Sequence, residues 1–183
     1  MIKSVCRSAI LPLMASVPFA AVETPAAFAA DRDVQFFQSV RGEWSGPGEI
    51  VAGKYKGTKF TCSLTGDTPS GKIGMALEGS CRVGLFSQKM SARIERKGQS
   101  YKGTFLDGAT GEGLDIVSGK VSKSKVVMGL NRNDLNGAML ASIKGDDTMS
   151  VTVSVRVNAE LVPVIGMNLK RVDAAAVGAI ARD

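Results

Sequence analysis

From residue 42 onward the chain alternates apolar and polar positions. In "KFTCSL" Phe60, Cys62 and Leu64 fall on one face and Lys59, Thr61 and Ser63 on the other. "MALEGSCRVGL" repeats the arrangement with Met75, Leu77, Cys81, Val83 and Leu85 against Glu78, Ser80 and Arg82. "MSVTVSVRV" does so most cleanly, setting Met149, Val151, Val153, Val155 and Val157 against Ser150, Thr152, Ser154 and Arg156. A period of two with one polar face predicts half-buried antiparallel strands. Turn chemistry in "TGDTPSGK", "RKGQS", "DGATGEG", "SKSK", "NRNDLNG" and "KGDDT" separates them. No interval leaves room for a crossover helix, so the reading is all-β: an antiparallel meander of about eight to ten strands over residues 42–172, closed as a barrel or folded as a sandwich.

The segments flanking this body differ in kind. Residues 1–29 carry Lys3 and Arg7, then the apolar run "SAILPLMASVPFAAV" and the small-x-small triplet "AFA", the pattern of a secretory signal cut after Ala29. An uncleaved anchor is the rival, but Pro12 and Pro18 break a run already short of the about 20 apolar residues a span needs. Residues 30–41 hold "DVQFFQSV" and predict a short helix, and residues 173–183 form a tail. Cleavage leaves residues 30–183, enough for one domain with its own core. It also removes Cys6, and, with Lys3, Arg7 and Glu23 gone, lowers the formal charge from +6 to +5. The remaining charges are scattered, without a basic run. That argues against nucleic acid and leaves room only for a weak attraction to an anionic membrane surface or envelope polymer.

Export changes how Cys62 and Cys81 read. In an oxidising compartment a lone pair of thiols forms a disulfide. If the two face each other across an antiparallel hairpin, the turn centres near residues 71 and 72, where "TPSGK" stands. A redox pair would need closer spacing than the 19 positions between them, as in CxxC. Closing a loop of this size stabilises by about 3 kcal/mol. The positive segment and its cleavage site suit a bacterial periplasm, with a eukaryotic secretory route as the other option.

An internal echo raises the question of a repeat. Leu77-Glu78-Gly79, Leu106-Asp107-Gly108 and Leu135-Asn136-Gly137 follow one another at steps of 29 residues, and Leu85, Leu114 and Ile143 keep the same step. A two-strand unit repeated around a meander would produce it. "YKGT" at 55–58 and 101–104 recurs at a step of 46, which does not fit.

"FFQSVRGEWSG" resembles the opening of lipocalins and the wider calycin barrels: a helical turn, then G-x-W beginning the first strand. The resemblance implies a closed barrel in which Gly42 and Trp44 seal one end and a basic residue of the last strand packs over the indole. "VPVIGMNLKRV" supplies Arg171 for that place, or Lys170. A guanidinium on an indole face is worth about 0.5 to 2 kcal/mol according to its burial. The second lipocalin signature, between middle strands, is missing, and the disulfide lies elsewhere than is usual there. As a whole the chain also resembles small exported alphaproteobacterial proteins of no assigned function.

Candidate chemistry is sparse. The chain has no histidine, which removes the commonest general base, the usual zinc ligand and every Ser-His or Cys-His pair. Carboxylate pairs of the glycosidase kind could be sought among Glu49, Glu78, Asp107, Glu112 and Asp115, but these acids fall in turns or on outer faces. "DGATGEGLD" lacks the following helix of a phosphate loop, and Asp107, Glu112 and Asp115 match no calcium-loop spacing, so glycine turns explain it. No catalytic residue, cofactor or metal is expected.

What remains is the interior. Alternation points Phe60, Met75, Leu77, Met90, Tyr101, Phe105, Val151, Val153, Val155 and Met167 inward. With aromatic residues at only 5% of the chain, such a lining suits a flexible apolar or lipid-like ligand better than a planar cofactor. The expectation is a non-enzymatic periplasmic barrel that binds or carries such a molecule. The alternative is a structural or interaction module of the cell envelope whose barrel is filled by its own side chains. An outer-membrane barrel fits poorly, since the outward positions carry Lys, Arg and Glu instead of a lipid-facing band.

Overall fold

The computed structural model describes residues 25–106, 114–133 and 135–172. They form one helix, α1 (Pro25–Ser39), and ten strands. These are β1 (Gly42–Ile50), β2 (Lys59–Asp67), β3 (Gly74–Val83), β4 (Phe86–Lys97), β5 (Ser100–Leu106), β6 (Leu114–Ser122), β7 (Lys125–Arg132), β8 (Leu135–Lys144), β9 (Thr148–Val157) and β10 (Glu160–Arg171). Each strand pairs antiparallel with the next, and β10 returns to β1, giving a closed meander barrel. Closure leaves no edge strand among the described residues. The sealing pairs run from Trp44↔Arg171 to Ile50↔Ile165.

Alternation in the sequence becomes inside and outside of this wall. Along β9, Met149, Val151 and Val153 are buried while Ser150, Thr152 and Ser154 are half-buried on the other face. Leu64, Ile94, Ile116, Met128, Met139 and Leu169 join them from other strands in one core. At Pro163, which has no amide to donate, the β10–β9 register shifts before Ile165, the bulge at which a sheet interior tolerates proline.

Helix α1 closes the end of the barrel where β1 begins and packs against β3 and β6. Asp33, Phe36, Phe37 and, just past its end, Val40 recur at helical spacing, and all four are buried. The helix was expected over 30–41; it starts at Pro25 and stops at Ser39. The stop follows from Gly42, whose φ of 110° turns the chain into β1. The expected cleavage after Ala29 falls within α1, while residues 1–24 and the tail 173–183 lie outside the described residues.

Cys62 and Cys81 are direct partners in the β2–β3 ladder and are joined by a disulfide. The intervening turn contains Gly71 at φ 71°. The first and third copies of the 29-residue echo occupy different places in the fold. Leu77 lies inside β3, whereas Leu135 opens β8, a strand of the opposite direction, and is exposed. Asp107 and Gly108 of the middle copy lie outside the described residues. A spacing of 29 cannot stay in phase with strands and turns whose lengths vary around the barrel.

Candidate functional site

The closed end is organised around Trp44, whose side chain is 1% exposed. Its Nε1–H donates to the carbonyl of Val40 at 2.8 Å, which satisfies the one polar atom of the indole. The Arg171 guanidinium lies over the ring, 4.3 Å from its centroid. Its Nε donates to the Asp146 carbonyl at 2.6 Å, Nη2 to Ser39 at 2.9 Å, and Nη1 to Arg41. Two of these acceptors are carbonyls at the C-terminal end of α1, where a cation is favoured. One side chain thus joins the last strand, the β8–β9 turn, the helix end and the indole. Gly42 is required beside it twice over: its φ is positive, and a Cβ there would come 2.7 Å from Arg171 Nη1. Lys170, the other candidate, is exposed on the outer face.

A polar cluster that sequence reasoning missed sits next to this closure. Asp33 of α1 is 5% exposed and accepts a hydrogen bond from the Tyr101 hydroxyl at 2.6 Å. Arg32 donates to its other oxygen at 3.1 Å, and Arg96 Nη1 stands 3.8 Å away. Burial, and then the bond to Asp33, push the Tyr101 hydroxyl well above the usual tyrosine range. The tyrosine ring packs on Phe37, with centroids 5.4 Å apart. One signal for Asp33 was present: it occupies the first position of the apolar helical stripe that continues through Phe36, Phe37 and Val40.

Above α1 the barrel encloses a cavity of about 40 Å³. Five methionines line it, Met75, Met90, Met139, Met149 and Met167, together with Leu77, Phe105, Val151 and aliphatic neighbours, and Ser91 is the one polar residue among the described lining. Six of the ten expected lining residues therefore meet at one place. The other four point inward but do not line this space. Tyr101 belongs to the floor with Asp33. Phe60 covers Gly48, its ring occupying the place that a Cβ would take there. Val153 and Val155 lie opposite Met139 and Gly137 of β8, the first buried and the second half-buried. Alternation gives the face of a residue; its height is set by the stagger of the strands. Phe36, Val40 and Leu169, which line the cavity from the closed end, were not among the expected residues.

Among the described residues the acidic candidates do not gather. Glu78 is exposed and bonded to Arg93 at 2.6 Å, Asp115 is exposed on β6, and Glu49 lies near the far end of β1. Asp107 and Glu112 lie outside the described residues. Among the described residues no three His, Cys, Asp or Glu side chains are placed to hold a metal ion. A polar surface groove between α1 and the β2–β3 turn is bordered by the exposed Arg41–Asp67 ion pair, 3.6 Å long. Also among the described residues, no helix is long and apolar enough to cross a membrane. No family model matches the chain, and no curated protein resembles it closely enough to assign it to a family.

Proposed function

We propose that this protein is a non-enzymatic, lipocalin-like carrier that binds a small apolar, lipid-like molecule in the periplasm. The observation that carries the reading is the lining of the enclosed space, which among the described residues is apolar but for Ser91 and holds no charged side chain. The floor built from Gly42, Trp44 and Arg171 supports the lipocalin resemblance. The disulfide fits an extracytoplasmic protein. At about 40 Å³ the space is well short of the roughly 300 to 1,000 Å³ typical of ligand pockets. Binding an acyl chain therefore requires the side chains to move. Methionine, unbranched and polarizable, is the residue best suited to that.

The same volume favours a second reading, an envelope interaction module with a filled barrel. Native mass spectrometry of protein drawn from its own envelope separates the two. A copurified lipid of discrete mass, displaced by a fluorescent fatty acid, supports the carrier. A bare chain that takes up no fatty acid sinks it.

A further inference from the structure

The end of the barrel opposite α1 is built differently from its floor. There β1, β3, β5, β7 and β9 end and the strands that follow them begin. Of the twelve large apolar side chains exposed among the described residues, nine belong to strand ends or connections here; Val117, Val127 and Leu140 lie on the outer wall. Single exposed apolar residues are ordinary, but a cluster on one end calls for a partner.

The cluster peaks at the β3–β4 hairpin. Leu85 is 99% and Phe86 83% exposed. The β3–β4 ladder runs to the end of this hairpin, Cys81 pairing with Gln88 and Arg82 with Ser87. Val83 pairs with Phe86 at its tip. Arg82 and Lys89 stand exposed on the pleat opposite to Cys81 and Met90, facing outward. On one side the arc continues to the β1–β2 connection, where Lys54 lies 5.5 Å from the centroid of the exposed Tyr55 ring. Beyond it, the β9–β10 hairpin exposes Val157 and Leu161. The arc from β4 to β9 through β1 carries Lys54, Lys56, Lys59, Arg82, Lys89 and Arg156 against Glu49 and Glu160. None of the six cations is in an ion pair among the described residues.

An apolar tip flanked by unneutralised cations is complementary to an anionic phospholipid surface. Headgroup phosphates lie at the level of the cations, and the acyl boundary lies about 5 to 10 Å deeper. We propose that this arc docks the barrel mouth-down on an anionic lipid bilayer, with Leu85 and Phe86 entering the headgroup–acyl boundary. The docking goes beyond ligand carriage and holds whether the barrel is hollow or filled.

Flotation of the purified full chain with vesicles tests it, comparing phosphatidylcholine mixed with phosphatidylglycerol against phosphatidylcholine alone. The mixed vesicles bind the protein, and added salt releases it. Arg82→Gln and Lys89→Gln each weaken partitioning about fivefold. The double variant Leu85→Ser/Phe86→Ser weakens it about tenfold or more, with the fold intact because both side chains are exposed. Phe86→Trp supplies a second readout, an indole emission that is blue-shifted on binding and quenched by bromine-bearing lipid tails. Absence of binding to the mixed vesicles at low salt overturns the proposal. So does wild-type partitioning of the double serine variant. A Phe86→Trp variant whose emission ignores the vesicles while the protein is retained on heparin also overturns it, and identifies a soluble polyanion as the partner.

Discussion

Trp44 and Arg171 are register partners in the β1–β10 ladder, and the guanidinium lies 4.3 Å from the indole centroid. The pair closes the barrel in two senses, as the seam of the sheet and as its floor. Arg171→Ala removes the stacked cation and also the donor to the carbonyls of Ser39, Arg41 and Asp146. The stacked contact alone is worth about 0.5 to 2 kcal/mol, so a total loss of about 2 to 3 kcal/mol is expected in urea unfolding followed by Trp44 fluorescence. Arg171→Lys recovers less than half, because an ammonium cannot reach three acceptors from one planar fork.

Gly42→Ala tests the same corner from the backbone. A residue with a Cβ is strained at φ 110°, and that Cβ meets Arg171 Nη1 at 2.7 Å. A cost of about 1 to 3 kcal/mol follows. Near-ultraviolet circular dichroism of the variant registers any displacement of the indole.

Tyr101 makes stability depend on alkaline pH. Its hydroxyl titrates above the ordinary tyrosine value of about 10 because it is buried and bonded to Asp33. Above that pH the unfolded chain gives up the phenolic proton and the folded chain keeps it, so the unfolded state binds fewer protons and stability falls as pH rises. Below it this contribution is fully present. Urea midpoints measured from neutral to strongly alkaline pH should decline on the alkaline side. Tyr101→Phe should flatten that decline while costing about 1 to 3 kcal/mol at neutral pH, since Asp33 loses a buried donor.

Cutting the Cys62–Cys81 bond frees a loop spanning 19 positions in sequence. Cys62→Ala/Cys81→Ala should lower stability by about 3 kcal/mol or somewhat more, because Cys62 is also buried in the core. Thermal unfolding of the oxidised, reduced and double-variant proteins separates the cross-link from the packing.

Filling the cavity separates stability from ligand uptake. Ala141 lines the space, and Ala141→Leu places three more carbons near it. Stability should shift by at most about 1 to 3 kcal/mol, while uptake of a fluorescent fatty acid is lost. Retained uptake in a folded variant would place the ligand outside this cavity.

The faces of strand interiors were legible in the sequence because period two is a local property of extended backbone, whereas Val83 and Val157 at strand ends and Leu85 in a turn, assigned to the apolar faces, are exposed because the alternation runs on past the wall that buries it. The β2–β3 register was legible too, because Cys62 and Cys81 lie equally far from the turn near residue 71, and they are direct partners. The opening "RGEWSG" could be read because a glycine at positive φ and a buried indole are needed at adjacent points of one strand.

Tertiary structure alone decided the rest. Closure into a ring depends on β1 meeting β10, residues more than a hundred positions apart whose pairing leaves no local trace. It brings Asp33 to Tyr101, 68 residues away, and turns a polar position in an apolar helical stripe into a buried carboxylate with a phenol and two guanidiniums around it. It also sets the height of each inward side chain, which is why Met75 and Met167 share a cavity while Phe60 and Tyr101 do not line it. Alternation fixes direction from a strand's own geometry, whereas height and volume depend on the stagger and girth of the whole cylinder.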